Sequence, residues 1–166
     1  SYAFRQCQNL VTIDFKNCKQ VGMSAFQNCE QLSKVSMPKL KSLGDKSFKS
    51  TGIKKIEMNS LIHCHYYWGG QFENCQKLTH VTLKKIETIT LSMFMHCSKL
   101  VYIDAPKTIS IEYLAFGNCI SLSNITFPEV KYIGRGAFIG NEKLKSINLS
   151  SVKELDDESF VNCINL

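Results

Sequence analysis

The chain has 166 residues, of which 44% are hydrophobic, and a formal net charge of +6. This size and apolar content predict one domain, residues 1–166, with a continuous core. No apolar run approaches the roughly 20 residues of a membrane-spanning helix. Arginine forks and stacked aromatic residues, which are typical of nucleic-acid sites, form no row here, so we expect no nucleic-acid partner.

Eight phenylalanines recur along the chain at an almost constant spacing. They are Phe4, Phe26, Phe48, Phe72, Phe94, Phe116, Phe138 and Phe160. The step is 22 residues every time except from Phe48 to Phe72, where it is 24. A period of about 20 to 50 residues is typical of a solenoid, in which each coil buries its apolar face against its neighbours. The chain begins and stops inside a repeat, so we expect it to be a window of a longer array.

A stretch with the pattern L-x-x-I-x-L lies in each repeat and predicts a short strand. Alternate side chains at positions 4 and 6 of the repeat are apolar and are expected to point inward. The predicted strands are residues 12–15, 34–37, 55–58, 80–83, 102–105, 124–127 and 146–149. These strands predict a curved parallel β-sheet on the concave face of an α/β leucine-rich repeat solenoid with about seven coils of 22 residues.

The segment between strand and phenylalanine must reverse the chain. Gly22, Gly44 and Gly134 stand four residues before a repeat phenylalanine. We expect a positive φ at these positions, because glycine adopts it without the steric cost that other residues pay. Pro38 follows a strand and is expected to end it, because proline cannot donate to the ladder. Nearby Ser and Asp residues predict capped single turns of α or 3₁₀ helix on the convex side.

Six of the eight cysteines share one slot, three residues after a repeat phenylalanine. They are Cys7, Cys29, Cys75, Cys97, Cys119 and Cys163. Equivalent positions of stacked coils lie about 4.7–4.9 Å apart, whereas a disulfide needs Cβ atoms about 3.5–4.5 Å apart. We therefore expect buried free thiols. Without any C-x-x-C pair, we expect no zinc site.

The repeat unit P-x-[LV]-x-x-[LI]-G-x-x-[AS]-F-x-x-C-x-x-L-x-x-[IV]-x-[LFM] resembles the BspA-like, or Treponema-type, class of leucine-rich repeat. Residues 41–44 and 131–134, followed by Ser47-Phe48 and Ala137-Phe138, carry this resemblance. It covers the whole chain except an irregular insertion at about 62–71. The resemblance implies a surface or secreted protein of an anaerobic bacterium or a parasitic protist, associated with adhesion. It implies no catalytic residue and no cofactor.

Two groups of residues are candidates for partner binding. The first is the outward-facing row on the predicted concave strands, namely Lys34, Lys55, Glu57, His80, Tyr102, Asp104 and Asn124. The second is the aromatic insertion, namely His65, Tyr66, Tyr67 and Trp68. Exposed aromatic residues beside glycine are favoured in recognition loops. The alternative reading is a bulge whose tryptophan covers the core, and adjacent His and Cys residues rarely converge on one metal ion.

These patterns predict a non-enzymatic module that binds another protein, such as a host or extracellular matrix protein. A cell-surface or secreted location follows from the resemblance. The alternative is a cytoplasmic scaffold repeat built into a larger assembly. No serine or cysteine nucleophile stands beside a base in the pattern, so we expect no enzyme.

Overall fold

The computed structural model describes residues 1–123 and 125–166. It is a parallel β-solenoid of about six turns that repeat about every 22 residues. The strands are β1 (Thr12–Asp14), β2 (Gln20–Val21), β3 (Lys34–Ser36), β4 (Ser42–Leu43), β5 (Lys55–Glu57), β6 (His63–Cys64), β7 (His80–Thr82), β8 (Thr88–Ile89), β9 (Tyr102–Asp104), β10 (Ser110–Ile111), β11 (Tyr132–Ile133) and β12 (Glu154–Leu155).

The strands form two longitudinal sets, each on its own side of the solenoid. The three-residue strands β1, β3, β5, β7 and β9 make the strand face, in sheets β1–β3 and β5–β7–β9. The two-residue strands make the flank, in sheets β2–β4–β6 and β8–β10–β11–β12. Every pair is parallel. The flank set was not predicted.

The first five predicted strands are confirmed to within one residue, but the last two are not. Residues 125–127 and 147–149 are not in a strand, and Ser146 makes only an isolated bridge. Asn124 lies outside the described residues. The flank strands β10, β11 and β12 continue the ladder along this part of the chain instead, so seven regular coils are not confirmed.

The predicted α or 3₁₀ turns are wrong: the described residues contain no helix. Around Phe26, the N–H groups of Ser24, Phe26 and Asn28 donate to carbonyls of the next coil at 2.9, 2.8 and 2.9 Å. Ser24 and Asn28 also have positive φ, at 51° and 61°. A helix needs successive right-handed residues bonded to their own chain. The turn therefore becomes a third ladder between coils.

The glycine prediction is also wrong, although close packing still calls for glycine at Gly44. Gly22, Gly44 and Gly134 are not among the residues with positive φ. A Cβ atom on Gly44 would lie 2.4 Å from the backbone nitrogen of Met23, on the preceding coil. Close approach of two backbones, and not the left-handed conformation, excludes a side chain there.

The phenylalanine column confirms the repeat register. Every phenylalanine from Phe26 to Phe138 in the series is at most 2% exposed. Neighbouring rings stack with centroids 5.0–5.6 Å apart and interplanar angles of 12° or less. The column is the centre of one continuous hydrophobic core. Each ring covers the face of the next. The core is therefore continuous at the two places where neighbouring coils lack a strand pairing, between β3 and β5 and between β6 and β8.

Candidate functional site

The strand face presents one row of exposed side chains in strict register. Lys55 on β5, His80 on β7 and Tyr102 on β9 are paired Cα partners. The imidazole ring of His80 and the phenol ring of Tyr102 lie 5.9 Å apart and are tilted by 45°. Tyr102 is 46% exposed. The backbone ladder fixes this row, so its side chains form a preorganised surface.

A second row with acidic side chains runs beside the first. Glu57, Thr82 and Asp104 are paired Cα partners on the same three strands. Asp104 accepts a hydrogen bond from the ammonium group of Lys84. The structure therefore brings together Lys55, Glu57, His80, Tyr102 and Asp104, as the sequence predicted.

Lys34 lies outside the hydrogen-bonded ladder of this patch. It lies on β3, which pairs only with β1, and its Cα partner is Thr12. No strand pairing joins β3 to β5. The segment from Phe48 to Ile53 is one residue shorter than the equivalent segment of the preceding coil, Phe26 to Leu32, and this interrupts the strand-face ladder. Asn124, the last member of the predicted row, lies outside the described residues.

The insertion leaves the solenoid outline between β6 and Phe72, which confirms the predicted bulge. Tyr66, Tyr67 and Trp68 are 77%, 81% and 52% exposed, and the rings of Tyr67 and Trp68 meet edge to face at 5.1 Å. His65 is exposed beside them. The tryptophan is half exposed and is not part of the buried core cluster.

The return of the insertion to the coil is fixed by Gly69. Its N–H donates to a carboxylate oxygen of Asp45 at 3.0 Å. Its φ is +55°, and a Cβ atom would lie 1.9 Å from the carbonyl oxygen of Leu91. Asp45 is one of the residues expected to cap a helical turn. Its carboxylate instead accepts a hydrogen bond from the backbone of the next coil.

A groove that the sequence did not predict lies beside the insertion. The flank ladder is broken between β6 and β8, and a cavity of about 620 Å³ occupies this position. Its lining includes Ile62, Tyr66, Glu87, Glu112 and Tyr113. The 24-residue step from Phe48 to Phe72 was the one sequence signal of this break.

The cysteine slot proves to be a hydrogen-bond donor slot. The thiols of Cys29, Cys75, Cys97 and Cys119 donate to the carbonyl oxygen of the phenylalanine on the preceding coil, at 2.9–3.2 Å. Asn141 takes the same slot, and its amide donates to Phe116 at 2.8 Å. All eight cysteines are free, and these four are buried.

Burial makes these thiols poor nucleophiles. It raises the pKa of Cys75 to about 11 and that of Cys119 to about 12. Burial also raises the pKa of Cys97 well above its ordinary value and that of Cys64 to about 12. The thiolate is the reactive form of cysteine, so these groups stay protonated at neutral pH.

Residues 1–123 and 125–166 contain no cluster of three or more His, Cys, Asp or Glu side chains arranged to hold a metal ion. Within the same ranges, no helix is long and apolar enough to cross a membrane.

Solved structures similar to this chain are leucine-rich repeat proteins. One from Bacteroides ovatus is 26% identical with a TM-score of 0.76, over 98% of this chain and 49% of that one. One from T. pallidum is 22% identical with a TM-score of 0.73, over 87% of this chain and 69% of that one. A leucine-rich cell surface protein from Faecalibacterium prausnitzii is 18% identical with a TM-score of 0.50, over 100% of this chain and 61% of that one.

This chain spans about half the length of the Bacteroides protein. No curated protein matches it in sequence. The sequence pattern of one protein family, the BspA type leucine-rich repeat region, matches residues 1–110 and 69–166, in six copies. These matches together cover the whole chain and agree with the phenylalanine period and the parallel ladders. The chain belongs to the BspA-type leucine-rich repeat family.

Proposed function

We propose that this chain is a non-catalytic module that recognises another protein, with a role in adhesion. The observation that carries the proposal is the row of Lys55, His80 and Tyr102 on three paired strands. A surface that is rigid before binding loses less conformational entropy when a folded partner docks. Tyrosine is enriched in protein interfaces, and the charged groups beside Tyr102 suit the polar rim of such an interface.

The chemistry of the described side chains supports a binding role over catalysis. The buried thiols are held protonated at neutral pH. His80 bonds to the hydroxyl of its neighbour Thr79 at 2.9 Å, and Asp104 is paired with Lys84. A catalytic serine or cysteine needs an adjacent base and an orienting group, and these contacts do not make such an arrangement.

We further propose a cell-surface or secreted location for the protein that contains this chain. The similar Faecalibacterium protein is described as a cell surface protein, and the family membership is in keeping with this. Antibody labelling of intact source cells, compared with lysed cells, tests the location. Signal only after lysis would contradict it and favour a cytoplasmic scaffold.

Tyr102 is the expected anchor of the strand face, because it offers the largest apolar surface in its row. With purified chain and an immobilised panel of extracellular matrix proteins, surface plasmon resonance should detect binding to at least one of them. Tyr102→Ala should weaken that binding by about 2 kcal/mol, or roughly 30-fold. The thermal midpoint should stay nearly unchanged, because the ring is half exposed.

Two further variants make this test specific. Tyr2→Ala removes another half-exposed tyrosine away from the row and should leave binding unchanged. Trp68→Ala tests the insertion. If Trp68→Ala abolishes binding and Tyr102→Ala has no effect, the insertion is the site and the strand-face assignment is wrong.

A further inference from the structure

The groove between β6 and β8 is a place where one rung of backbone hydrogen bonds is missing. On the preceding rung, His65 N donates to Leu43 O at 2.8 Å. On the following rung, Glu112 N donates to Ile89 O at 2.9 Å. The equivalent donor at the break is Thr90 N, and the equivalent acceptor is Cys64 O. No backbone hydrogen bond joins these two atoms in the described part of the chain.

The same comparison holds at the other end of the rung. Ser110 N donates to Glu87 O at 3.1 Å, and His63 N donates to Lys41 O at 3.1 Å. The equivalent pair at the break, Thr88 N and Ile62 O, forms no such bond within residues 1–123 and 125–166. The two facing edges therefore carry carbonyl acceptors on β6 and N–H donors at β8.

Thr90 makes the missing rung energetically significant. The residue is only 1% exposed, it lines the groove, and its N–H donates to no protein atom in the described residues. Buried backbone donors are almost always paired, and leaving one unpaired costs free energy. A ligand that supplies a carbonyl oxygen in the groove would satisfy this group.

Gln71, which is fully buried, links the two sides of the groove. The hydroxyl of Thr90 donates to Gln71 Oε1 at 2.7 Å. The amide of Gln71 in turn donates to the carbonyl of His65. Gln71 thus ties the base of the insertion to the coil that carries β8, and the two edges are kept at a fixed position with the groove between them.

The side chains around the groove give it a chemical preference. Glu87 and Glu112 both line it, and neither is in an ion pair with a described residue. The exposed rings of Tyr66 and Tyr113 lie at its border. Lys85 is the one lysine in the lining, so the two carboxylates leave a net negative charge. This charge favours a cation on the occupant, in contrast to the positive net charge of the whole chain.

We propose that this groove binds an extended, basic segment of a partner protein as an added β-strand. The backbone of the segment pairs with the free carbonyls of β6 and the free N–H groups at β8, as in other complexes in which a peptide is added to a sheet edge. Lysine or arginine side chains of the segment pair with Glu87 and Glu112. The inference rests on the proposed function as a recognition module and places a second site beside the strand face.

The probe is a phage-displayed library of random peptides of about ten residues, longer than a typical strand. Panning on the purified chain should select peptides rich in lysine, arginine and β-branched residues. N-methylation of alternate amides in the best synthetic peptide should weaken binding about tenfold, because it removes the donors that face one edge. Methylation at the intervening positions should have less effect.

Hydrogen exchange measured by NMR locates the bound peptide. The amides of Thr88 and Thr90 should exchange more slowly when the peptide is added. The amide of Gly134, already bonded to Ile111 at 2.8 Å, serves as the internal control and should not change.

A charge-reversal pair tests the acidic groups. The double variant Glu87→Lys with Glu112→Lys should weaken the selected peptide about tenfold, since two attractions become repulsions. The matched control is Glu142→Lys with Glu154→Lys, which changes the net charge equally at exposed sites outside the groove lining. Circular dichroism should show equal thermal midpoints for both double variants.

Four results would overturn the proposal: no peptide selected, equal weakening by both double variants, no effect of N-methylation, or no protection of Thr88 and Thr90. Binding of oligosaccharides from a glycan array, in place of peptides, would also overturn it. Tyr102→Ala should not affect the selected peptide. If the groove fails these tests while Tyr102→Ala still weakens binding to a matrix protein, the groove proposal falls and the strand-face function stands.

Discussion

The residues three positions after the repeat phenylalanines differ in polarity but share one property, a side chain that can donate a hydrogen bond. Cys97 donates through sulfur, Thr51 through a hydroxyl and Asn141 through an amide, and each bonds to a phenylalanine carbonyl. The carbonyls of Phe72, Phe116 and Phe138 also accept a backbone N–H in their own turns. The slot therefore needs a small buried donor, and a thiol provides one with little desolvation cost.

The buried thiols make stability depend on alkaline pH. In the unfolded chain a cysteine ionises near its ordinary pKa of 9.0, whereas burial raises the pKa of Cys75 and Cys119 to about 11 and 12. Above about pH 9 the unfolded state thus binds fewer protons than the folded state. The free energy of unfolding should then fall with pH, by about 1.4 kcal/mol per pH unit for each buried thiol.

Cys97→Ser removes one ionisable thiol and keeps its hydrogen bond, because the serine hydroxyl can still donate to the carbonyl of Phe72 but does not ionise in this pH range. Urea unfolding between about pH 9 and pH 11 should give a slope that is less steep by about 1.4 kcal/mol per pH unit in the variant. Cys7→Ser, at an exposed position, should leave the slope unchanged. Equal slopes for the wild type and Cys97→Ser would contradict this account.

Phe116 tests the stacked column at a single residue. It is fully buried and stacks on Phe94 and Phe138 with centroids at 5.5 and 5.3 Å. Phe116→Ala should lower the free energy of unfolding by ~3–5 kcal/mol, through lost burial and the cavity left behind. Chemical denaturation measures this. Phe4→Ala, at a site 37% exposed, should cost less, and a similar loss at both sites would argue against the column.

At the scale of the element, the turn around each phenylalanine alternates between left- and right-handed residues. The left-handed ones precede and follow the phenylalanine by two positions. In the turn at Phe94 they are Ser92 and His96, with φ of 50° and 61°. The alternation sends every second N–H to the neighbouring coil. The turn is therefore built as a ladder element, although it contains no regular strand.

His96→Gly should stabilise the protein, because an L-residue in the left-handed region pays a steric cost that glycine does not. The side chain of His96 is exposed, so little packing is lost. We expect a gain of about 0.5–1 kcal/mol in the free energy of unfolding, measured by urea denaturation. Lys99→Gly, also exposed but without a positive φ, should destabilise. The same sign for both variants would refute the explanation.

The sequence predicted elements that are set by apolar periodicity and missed those that are set by the backbone. Ile56 and Val81 share a register that follows from their spacing, and their strands pair as expected. The turn ladder was missed because Ser24 and Asp45 also suit a helix cap. A readable signal was present in Asn28 and its equivalents, since asparagine tolerates the left-handed conformation.

The candidate site divides in the same way. The row of Lys55, His80 and Tyr102 follows from the repeat register, so it was predictable. The break in the ladder beside Lys34 was not, because one missing residue after Phe48 interrupts the pairing without changing the apolar pattern. The groove depends on where the insertion returns to the coil at Gly69, and that position is determined by three-dimensional contacts.

At the scale of the whole molecule, the two breaks in the β-ladders are staggered. The strand face is interrupted between β3 and β5, and the flank between β6 and β8. The coil that contains β5 and β6 therefore joins its predecessor through the flank and its successor through the strand face. The turn ladder and the phenylalanine stack cross both breaks. No cross-section of the described solenoid is without β-pairing or stacking.

Phe72 lies between these breaks, so its stacking contacts carry more of the coupling between the two parts of the array. In a solenoid, stability is a sum of coil terms and nearest-neighbour terms. Phe72→Ala should split the single unfolding transition into two, as followed by circular dichroism in urea. Phe116→Ala, in a region with an intact flank ladder, should shift the midpoint without splitting. A single transition in Phe72→Ala would show that the remaining ladders suffice.

The regular placement of the thiols gives each of several coils its own chemical reporter. Cys29, Cys75, Cys97 and Cys119 are one to a coil, and each is sealed by the carbonyl to which it donates. An alkylating reagent can reach a given sulfur only when that coil opens. The labelling rates of the four cysteines, resolved by mass spectrometry of the digested protein, would therefore map the opening free energy along the axis, coil by coil, without any mutation.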